Sequence, residues 1–295
     1  MKKFNLYFVK FKIELKLKYN YILIMKTDYE SAEIVDDSSS DEEYVIQSNV
    51  ASLKKKVFKK EKVKIILKSC YNEDENIYEI GVDEAGRGPL FGRVYTAAVI
   101  LPKDGSFDYT KVKDSKKFHS KKKIEEAADY IKQNALEWHV SYEDEKKIDE
   151  INILQATQSA MHTSIIEVRK RYNKVLKSNG KQEKLDYHYS LLIDGNYFKP
   201  INIFDKKTNK IESIPYITVE GGDNKYASIA AASILAKVER DKYIDDLCKK
   251  HPELSLHYGI DSNKGYGAKK HIDGIKEHGI TIWHRRSFAP CKNYV

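Results

Sequence analysis

The chain has 295 residues, 41% of them hydrophobic, which is enough for one or two domains with a buried core. Its net charge of +8, from 52 basic and 44 acidic residues, favours a polyanionic partner without specifying one. No apolar run approaches the ~20 residues of a membrane span, and lysines interrupt the hydrophobic start (MKKFNLYFVKFKIELKLKYNYILIM) too often for a signal-peptide core. Cys70, Cys248 and Cys291 have no paired spacing, so neither a zinc site nor a disulfide framework is indicated. The expectation is a reducing, cytoplasmic location, with a nuclear or viral-factory location left open.

Residues 1–76 read as an extension. An acidic, serine-rich stretch from Asp28 to Glu43 lacks the apolar surface to fold. Lysine then dominates from Lys54 to Lys68, a block that reads as a solvated linker in preference to a nucleic-acid arm. Met25 is an alternative start. The folded domain is expected over 77–295. The apolar run before Asp83 and the run from Val94 to Leu101 read as buried strands joined by a tight turn. Ser120 to Gln133 reads as a helix and Leu136 to Tyr142 as a strand. Asn152 to Tyr172 carries Leu154, Gln158, Met161, Ile165, Val168 and Tyr172 at three- and four-residue steps, the stripe of a long helix. Leu191 to Asp194 and Tyr216 to Val219 read as further strands, separated by a protruding hairpin. After Asp223, residues Ile229, Ala232, Ser233, Ala236, Tyr243, Ile244 and Leu247 share one helical face, and its small residues allow close packing on a sheet. Strands and helices interleave after an initial hairpin, so the fold class is α/β, a mixed sheet flanked by helices.

Four carboxylates stand at the ends of these elements. Asp83 and Glu84 fall where a buried strand meets the glycine turn of GVDEAGRGPLFG. Neighbouring strand residues point to opposite faces, so both serve one site only if the strand ends there. The alternative is two solvated acids in a turn. A dinucleotide loop is excluded, because the glycines at 86, 88 and 92 miss G-x-G-x-x-G and Pro89 stands where a helix should open. Asp194, before Gly195 and Asn196, also reads as turn chemistry, and Asp223 also reads as a helix N-cap. Four such acids together would suit hard divalent ions.

From about Ile80 to Lys292 the chain resembles ribonuclease HII of the bacterial type. The stretches that carry the resemblance are GVDEAGRGPLFG, KDSKKFHSKKK, IDEINILQATQSAM, LLIDGN, GGDNKYASIAAASILAKVERD, NKGYGAKKH and HRRSFAPCK, in that order. The resemblance implies a ribonuclease H-like mixed sheet. It implies Asp83, Glu84, Asp194 and Asp223 as catalytic, metal-binding residues for two Mg²⁺ or Mn²⁺ ions. It also implies Gly86, Arg87, Gly88 and Tyr266 as readers of a ribonucleotide 2′-hydroxyl. The implied partner is an RNA·DNA hybrid or duplex DNA containing ribonucleotides, bound by a monomer with no membrane partner. Lys116, Lys117, Lys237, Arg285 and Arg286 are candidates for phosphate contact or internal pairing, whereas Arg240 and Asp241 read as structural. His271 and His284 lie in matching segments and are not read as general bases. Arginine occupies position 93, where the family usually has proline. Ribonuclease HIII, which cuts longer RNA stretches, and an inactive duplex-binding protein are the alternatives; the GRG turn and the full set of acids argue against them.

Overall fold

The structure, a computed structural model, describes residues 67–179, 189–205 and 209–295. The readings of residues 1–66, including the acidic stretch, most of the lysine block and Met25, fall outside the described residues.

Strands β1 (Tyr78–Ala85) and β2 (Val94–Ile100) pair antiparallel. Helix α1 (Lys121–Asn134) leads to β3 (Glu137–Glu143), which adds to β2. Helix α2 (Glu145–Ser178) follows, then β4 (Tyr189–Asp194), the hairpin β5 (Asn202–Asp205) and β6 (Lys210–Ser213), and β7 (Tyr216–Val219). The main sheet has the order β3-β2-β1-β4-β7, with β1, β4 and β7 parallel. Helix α3 (Ala227–Lys250) returns across it. Three short helices, α4 (Pro252–Tyr258), α5 (Ile260–Asn263) and α6 (Lys269–His278), complete the domain.

The strand period of two explains why these runs are apolar throughout. Ile80, Val82, Ala98, Ile100, Leu191 and Ile193 face Met161, Ile165, Val168 and Tyr172 of α2. Ala97 and Val99 face the other way, onto Ile124 and Ile131 of α1 and the alanines of α3. Helix α3 approaches β1 closely because Gly81 has no side chain: a Cβ there would lie 2.2 Å from the Ser228 carbonyl carbon. Helix α2 starts under Asp144, whose carboxylate accepts the Lys147 N–H, and breaks at Asn152, where φ is 67°. The Asn152 side chain then accepts the Gln155 N–H at 3.1 Å and caps the restarted helix.

Several expectations change in detail. The β1–β2 connection is a long loop, Gly86–Arg93, and not a tight turn. Arg93 at its end places its guanidinium between the Tyr142 and Tyr243 rings, 4.1 and 4.4 Å from their centroids, a stacking role that proline could not fill. The hairpin protrudes as expected, with Phe204 and Ile211 opposed and exposed.

Residues 67–76, placed in the extension by their composition, pack on the domain. The Lys68 N–H donates to the Lys225 carbonyl at 2.8 Å and the Lys68 carbonyl accepts from Ala227 N–H at 2.9 Å. The buried Glu79 carboxylate accepts the Tyr71 and Asn72 amides. A chain beginning at Leu67 is therefore expected to melt higher than one beginning at Ile77, which strands the Glu79 charge and costs on the order of 3 kcal/mol. Thermal denaturation of the two truncations checks this; equal melting temperatures would show that the segment adds nothing.

Candidate active site

The parallel ladder between β1 and β4 ends at Val82 and Ile193. The next residue on each strand is an acid, Asp83 and Asp194, so two carboxylates stand side by side where parallel strands finish. That end of an open α/β sheet is the usual place for a ligand. Strand β1 continues to Ala85 on its β2 side alone, with Asp83 opposite Ala97 and Glu84 opposite Thr96. The expectation that the strand must stop at the acids thus holds for one of its two neighbours. Both acids line a cleft of about 370 Å³ together with Asp194, Gly86, Arg87, Gly88, Lys116, Ser233, Lys237, Arg240 and Tyr266.

The fourth acid arrives on the turn Gly222–Asn224. Asp223 is 3% exposed and caps no helix, since α3 begins at Ala227 behind Tyr226. It accepts from Asn224 Nδ2 at 3.0 Å and faces the Lys116 ammonium at 3.7 Å. Asp194 likewise does not serve its own turn; its Oδ1 accepts the Gly222 N–H at 2.7 Å, which ties the two acid-bearing segments together. Neither aspartate serves the local turn or helix cap that its place in the sequence suggests.

Crowding sets the electrostatics. Burial, then the charges of Glu84 and Asp194, hold the Asp83 carboxyl well above its ordinary range, against hydrogen bonds from Ser233 and the Glu84 amide. Glu84 is raised by burial, although Arg87, at 3.2 Å, pulls it down. Asp194 is raised by burial and by Asp223, against the Gly222 amide. Burial lowers the Lys116 ammonium, but Asp223, Asp114, Asp83 and Asp194 outweigh that effect and raise it. The three cleft carboxyls are therefore held above their ordinary range by burial and by neighbouring acids, although Arg87 and Lys116 face them.

The other expected site residues divide. Lys116 and Lys237 line the cleft, the latter paired with Asp241 at 2.9 Å. Lys117 lies outside the lining and bonds Asp114 and Asn224. Arg286 is exposed and outside the lining; its backbone N–H donates to Asp149. Of the two readings for Arg285, phosphate contact or internal pairing, its geometry is that of internal pairing. It is 0% exposed, and its guanidinium donates to the carbonyls of Gly86, Arg87, Pro89 and Gly92 at 2.6–2.9 Å. Tyr266, 51% exposed, stands across the cleft from the turn, with a ring carbon 3.5 Å from where a Gly88 Cβ would be. Gly86 is required twice over. Its φ is +90°, and a Cβ would lie 2.1 Å from Arg240 Nε, so the guanidinium of Arg240 fills the missing side chain's place.

The sequence does not single out Ser233, Asp114 or Asn224 as site residues, and Arg240 reads there only as structural. Ser233 bonds Asp83, and Asp114 accepts both the Lys116 N–H and Asn224 Nδ2. Arg240 donates to the Lys264 carbonyl at 2.8 Å, beneath the Tyr266 loop. Ser233 reads in the sequence as one more small residue on the sheet-facing side of the helix and Asn224 as a residue of the turn before it, and only the fold directs them to the acids.

A mixed sheet with acids gathered at the ends of its central strands is the framework of a ribonuclease H-type hydrolase. The family model for Ribonuclease HII matches residues 80–291. The chain is 39% identical over 218 residues to ribonuclease HII of Neisseria meningitidis serogroup B, covering 74% of this chain and 95% of that protein. It is 42% identical over 217 residues to ribonuclease HII of Phocaeicola vulgatus, covering 73% and 90%. The crystal structure of ribonuclease H2 from Pyrococcus horikoshii shares the fold, with a TM-score of 0.50 at 22% identity over 74% of this chain and 97% of that one. The chain belongs to the ribonuclease HII family, and is thus a hydrolase and endonuclease acting on RNA·DNA hybrids.

Among the described residues, no three carboxylate, thiolate or imidazole groups already form a cage for one cation. The donor set nevertheless fits Mg²⁺ or Mn²⁺. Such ions keep several waters and take one or two carboxylates each, completing their shell with substrate phosphate, and Asp83, Glu84 and Asp194 open into one cleft with their carboxyls all raised by burial, a state that a bound dication would relieve. No described helix is long and apolar enough to cross a membrane.

Proposed function

We propose that the protein hydrolyses the bond on the 5′ side of a ribonucleotide, including a lone one in duplex DNA, leaving 3′-hydroxyl and 5′-phosphate ends. The observation that carries this reading is one cleft that brings Asp83, Glu84 and Asp194 together with the Gly86–Gly88 turn and Tyr266. Asp83, Glu84, Asp194 and Asp223 would hold two divalent ions, which when bound supply the charge that activates water and stabilises the leaving oxygen. Around them, the Gly222 amide fixes the Asp194 carboxylate and Ser233 fixes that of Asp83. Lys116 and Lys237, which line the cleft, would meet the backbone phosphates of a bound duplex and give affinity without sequence choice.

The rim supports selection of RNA. At the rim, Gly88 lets the turn's backbone stand against the Tyr266 ring with no side chain between them, while Arg240 occupies the place of a Gly86 side chain. A 2′-hydroxyl is the group that separates ribose from deoxyribose. The test is cleavage of labelled duplexes carrying one ribonucleotide or a continuous RNA strand, with mapping of the cut. Tyr266→Phe is expected to lower single-ribonucleotide cleavage about fivefold, the worth of one hydrogen bond. Tyr266→Ala, which also loses the stacking surface, should lower it about a hundredfold. Cleavage of the continuous hybrid should suffer less in both. An unchanged rate for Tyr266→Ala on the single-ribonucleotide duplex would remove the sensor role.

A further inference from the structure

The two halves of the reader come from distant parts of the chain, the turn at Gly86–Gly88 and the loop at Tyr266, and one short segment fastens both. Residues Trp283–Arg285 lie antiparallel to Leu90–Gly92. Phe91 bridges His284, the Gly92 N–H donates to the Trp283 carbonyl at 2.9 Å, and the Arg285 N–H donates to the Leu90 carbonyl at 2.8 Å. From this segment the Arg285 side chain grips the turn through four carbonyls. The neighbouring His284 points to the other half.

Its hydrogen bonds have a fixed direction. The Thr281 N–H donates to His284 Nδ1 at 2.9 Å, so that nitrogen carries the lone pair and Nε2 carries the proton. His284 Nε2 lies 3.0 Å from His271 Nε2 and must donate to it. The His271 proton is then on Nδ1, which donates to the Tyr266 carbonyl at 2.8 Å. A relay of two neutral imidazoles thus runs from a backbone amide to the backbone of the reading tyrosine. Burial, and for His284 the neighbouring His271, push both rings below their ordinary range, His284 to about 3, so neither gains a second proton near neutrality. Phe91 and Tyr258 hold the rings edge-on, and Arg240 and the Leu90 amide secure Lys264 and Gly265 beside them.

We propose that His271 and His284 are positioning residues for ribonucleotide discrimination, setting the place of Tyr266 against the turn that Arg285 holds. The proposal rests on the reading of Tyr266 as the sugar sensor.

Three replacements of His271 test it. Asparagine places an amide nitrogen where Nδ1 stands and keeps the bond to the Tyr266 carbonyl. Glutamine, one methylene longer, reaches the position of Nε2 and loses that bond, and leucine loses both. The measurement is kcat/KM on a single-ribonucleotide duplex divided by kcat/KM on a continuous hybrid, with the melting temperature recorded for each variant. His271→Gln and His271→Leu are expected to lower the ratio about fivefold, the effect of one hydrogen bond, and His271→Asn to keep it. In a Tyr266→Ala background, His271→Gln should change the ratio no further. If His271→Leu does not fold, the asparagine and glutamine variants decide between them.

An unchanged ratio in all three, while Tyr266→Ala lowers it, overturns the positioning role alone. So does an equal loss on both substrates that follows the melting temperature, which marks a purely structural pair. An unchanged ratio in Tyr266→Ala itself overturns the sensor reading and this inference with it.

Discussion

Replacing Asp83 by asparagine is expected to cut the turnover of an RNA·DNA hybrid by a thousandfold or more while raising the melting temperature of the metal-free protein. The two effects have one cause. Asp83 lies among Glu84 and Asp194, almost out of contact with water, and its carboxyl is held well above the ordinary range by burial and those charges. A folded-state pKa above the unfolded value means that the native protein binds the extra proton. Stability is then greatest below the ordinary carboxylate range and is lost as pH rises through the raised value. Glu84 and Asp194 are shifted in the same direction, so the metal-free protein should gain stability as pH falls from neutrality. The neutral amide removes one member of this repulsive group, and each kcal/mol recovered is worth about 2–4 °C in a domain of this size. Catalysis moves the opposite way, because an amide is a poor ligand for a hard dication. A thousandfold loss is about 4 kcal/mol of barrier. The checks are a hybrid cleavage assay with Mg²⁺ or Mn²⁺ and thermal melts in chelator across pH. Near-normal turnover would remove the assignment of Asp83, and a lower melting temperature would show that the crowding is not strained. Divalent metal should itself raise the melting temperature of the native chain and raise that of Asp83→Asn less.

Gly81→Ala is expected to be the most damaging single methyl group in the domain. The added carbon would meet the Ser228 carbonyl carbon, its oxygen and the Ile229 nitrogen at 2.2, 2.4 and 2.5 Å, all of them main chain. No rotamer change relieves such a contact, so α3 must move off β1. Overpacking of a core costs ~1–3 kcal/mol where side chains yield; a rigid helix backbone puts this case at or above the upper end. A drop in melting temperature of roughly 6–12 °C follows. Activity should fall beyond what the loss of folded protein explains, since α3 also carries Ser233, Lys237 and Arg240 into the cleft. Denaturation curves with activity normalised to the folded fraction separate the two losses. An unchanged melting temperature would mean that the helix accommodates the methyl group.

Much of this architecture was legible in the sequence because local period and global fold agree. Apolar runs ending in Asp83 and Asp194 became neighbouring strands, and the small-residue face after Asp223 became the helix that lies against Gly81. Legibility failed where a residue's role depends on a partner far away in the chain. HRRSF leaves both arginines open to phosphate contact or internal pairing, and Arg285 is enclosed because four carbonyls of the Gly86–Gly92 loop supply acceptors that no local pattern reveals. Asp223 has the spacing of an N-cap, but the chain makes a separate turn first and starts the helix at Ala227. The apolar stripe read from the sequence starts at Asn152, and so misses the helical turns before the break, from Glu145, that Asp144 caps. Helices α4, α5 and α6 gave no reading at all: they are short, and glycines at 259 and 265 interrupt any period. The imidazole relay was equally invisible, since only the Tyr266 loop, the start of α6 at His271 and the segment at 281–284 together define it.

The grip of Arg285 on the Gly86–Gly92 loop also bears on when the enzyme comes into being during synthesis. A ribosome delivers Asp83 about two hundred residues before Arg285, and at about 5–20 residues per second that gap lasts on the order of ten seconds or more. Over that interval the nascent chain can gather its sheet and even its four acids, but the turn at the cleft's rim has unfilled carbonyls and no partner loop. Such a chain would be able to collect cations yet be unable to seat a sugar. Release of competent nuclease would then be tied to synthesis of the segment that reaches back to the beginning of the domain, keeping an unfinished chain from cutting nucleic acid before its selectivity is in place.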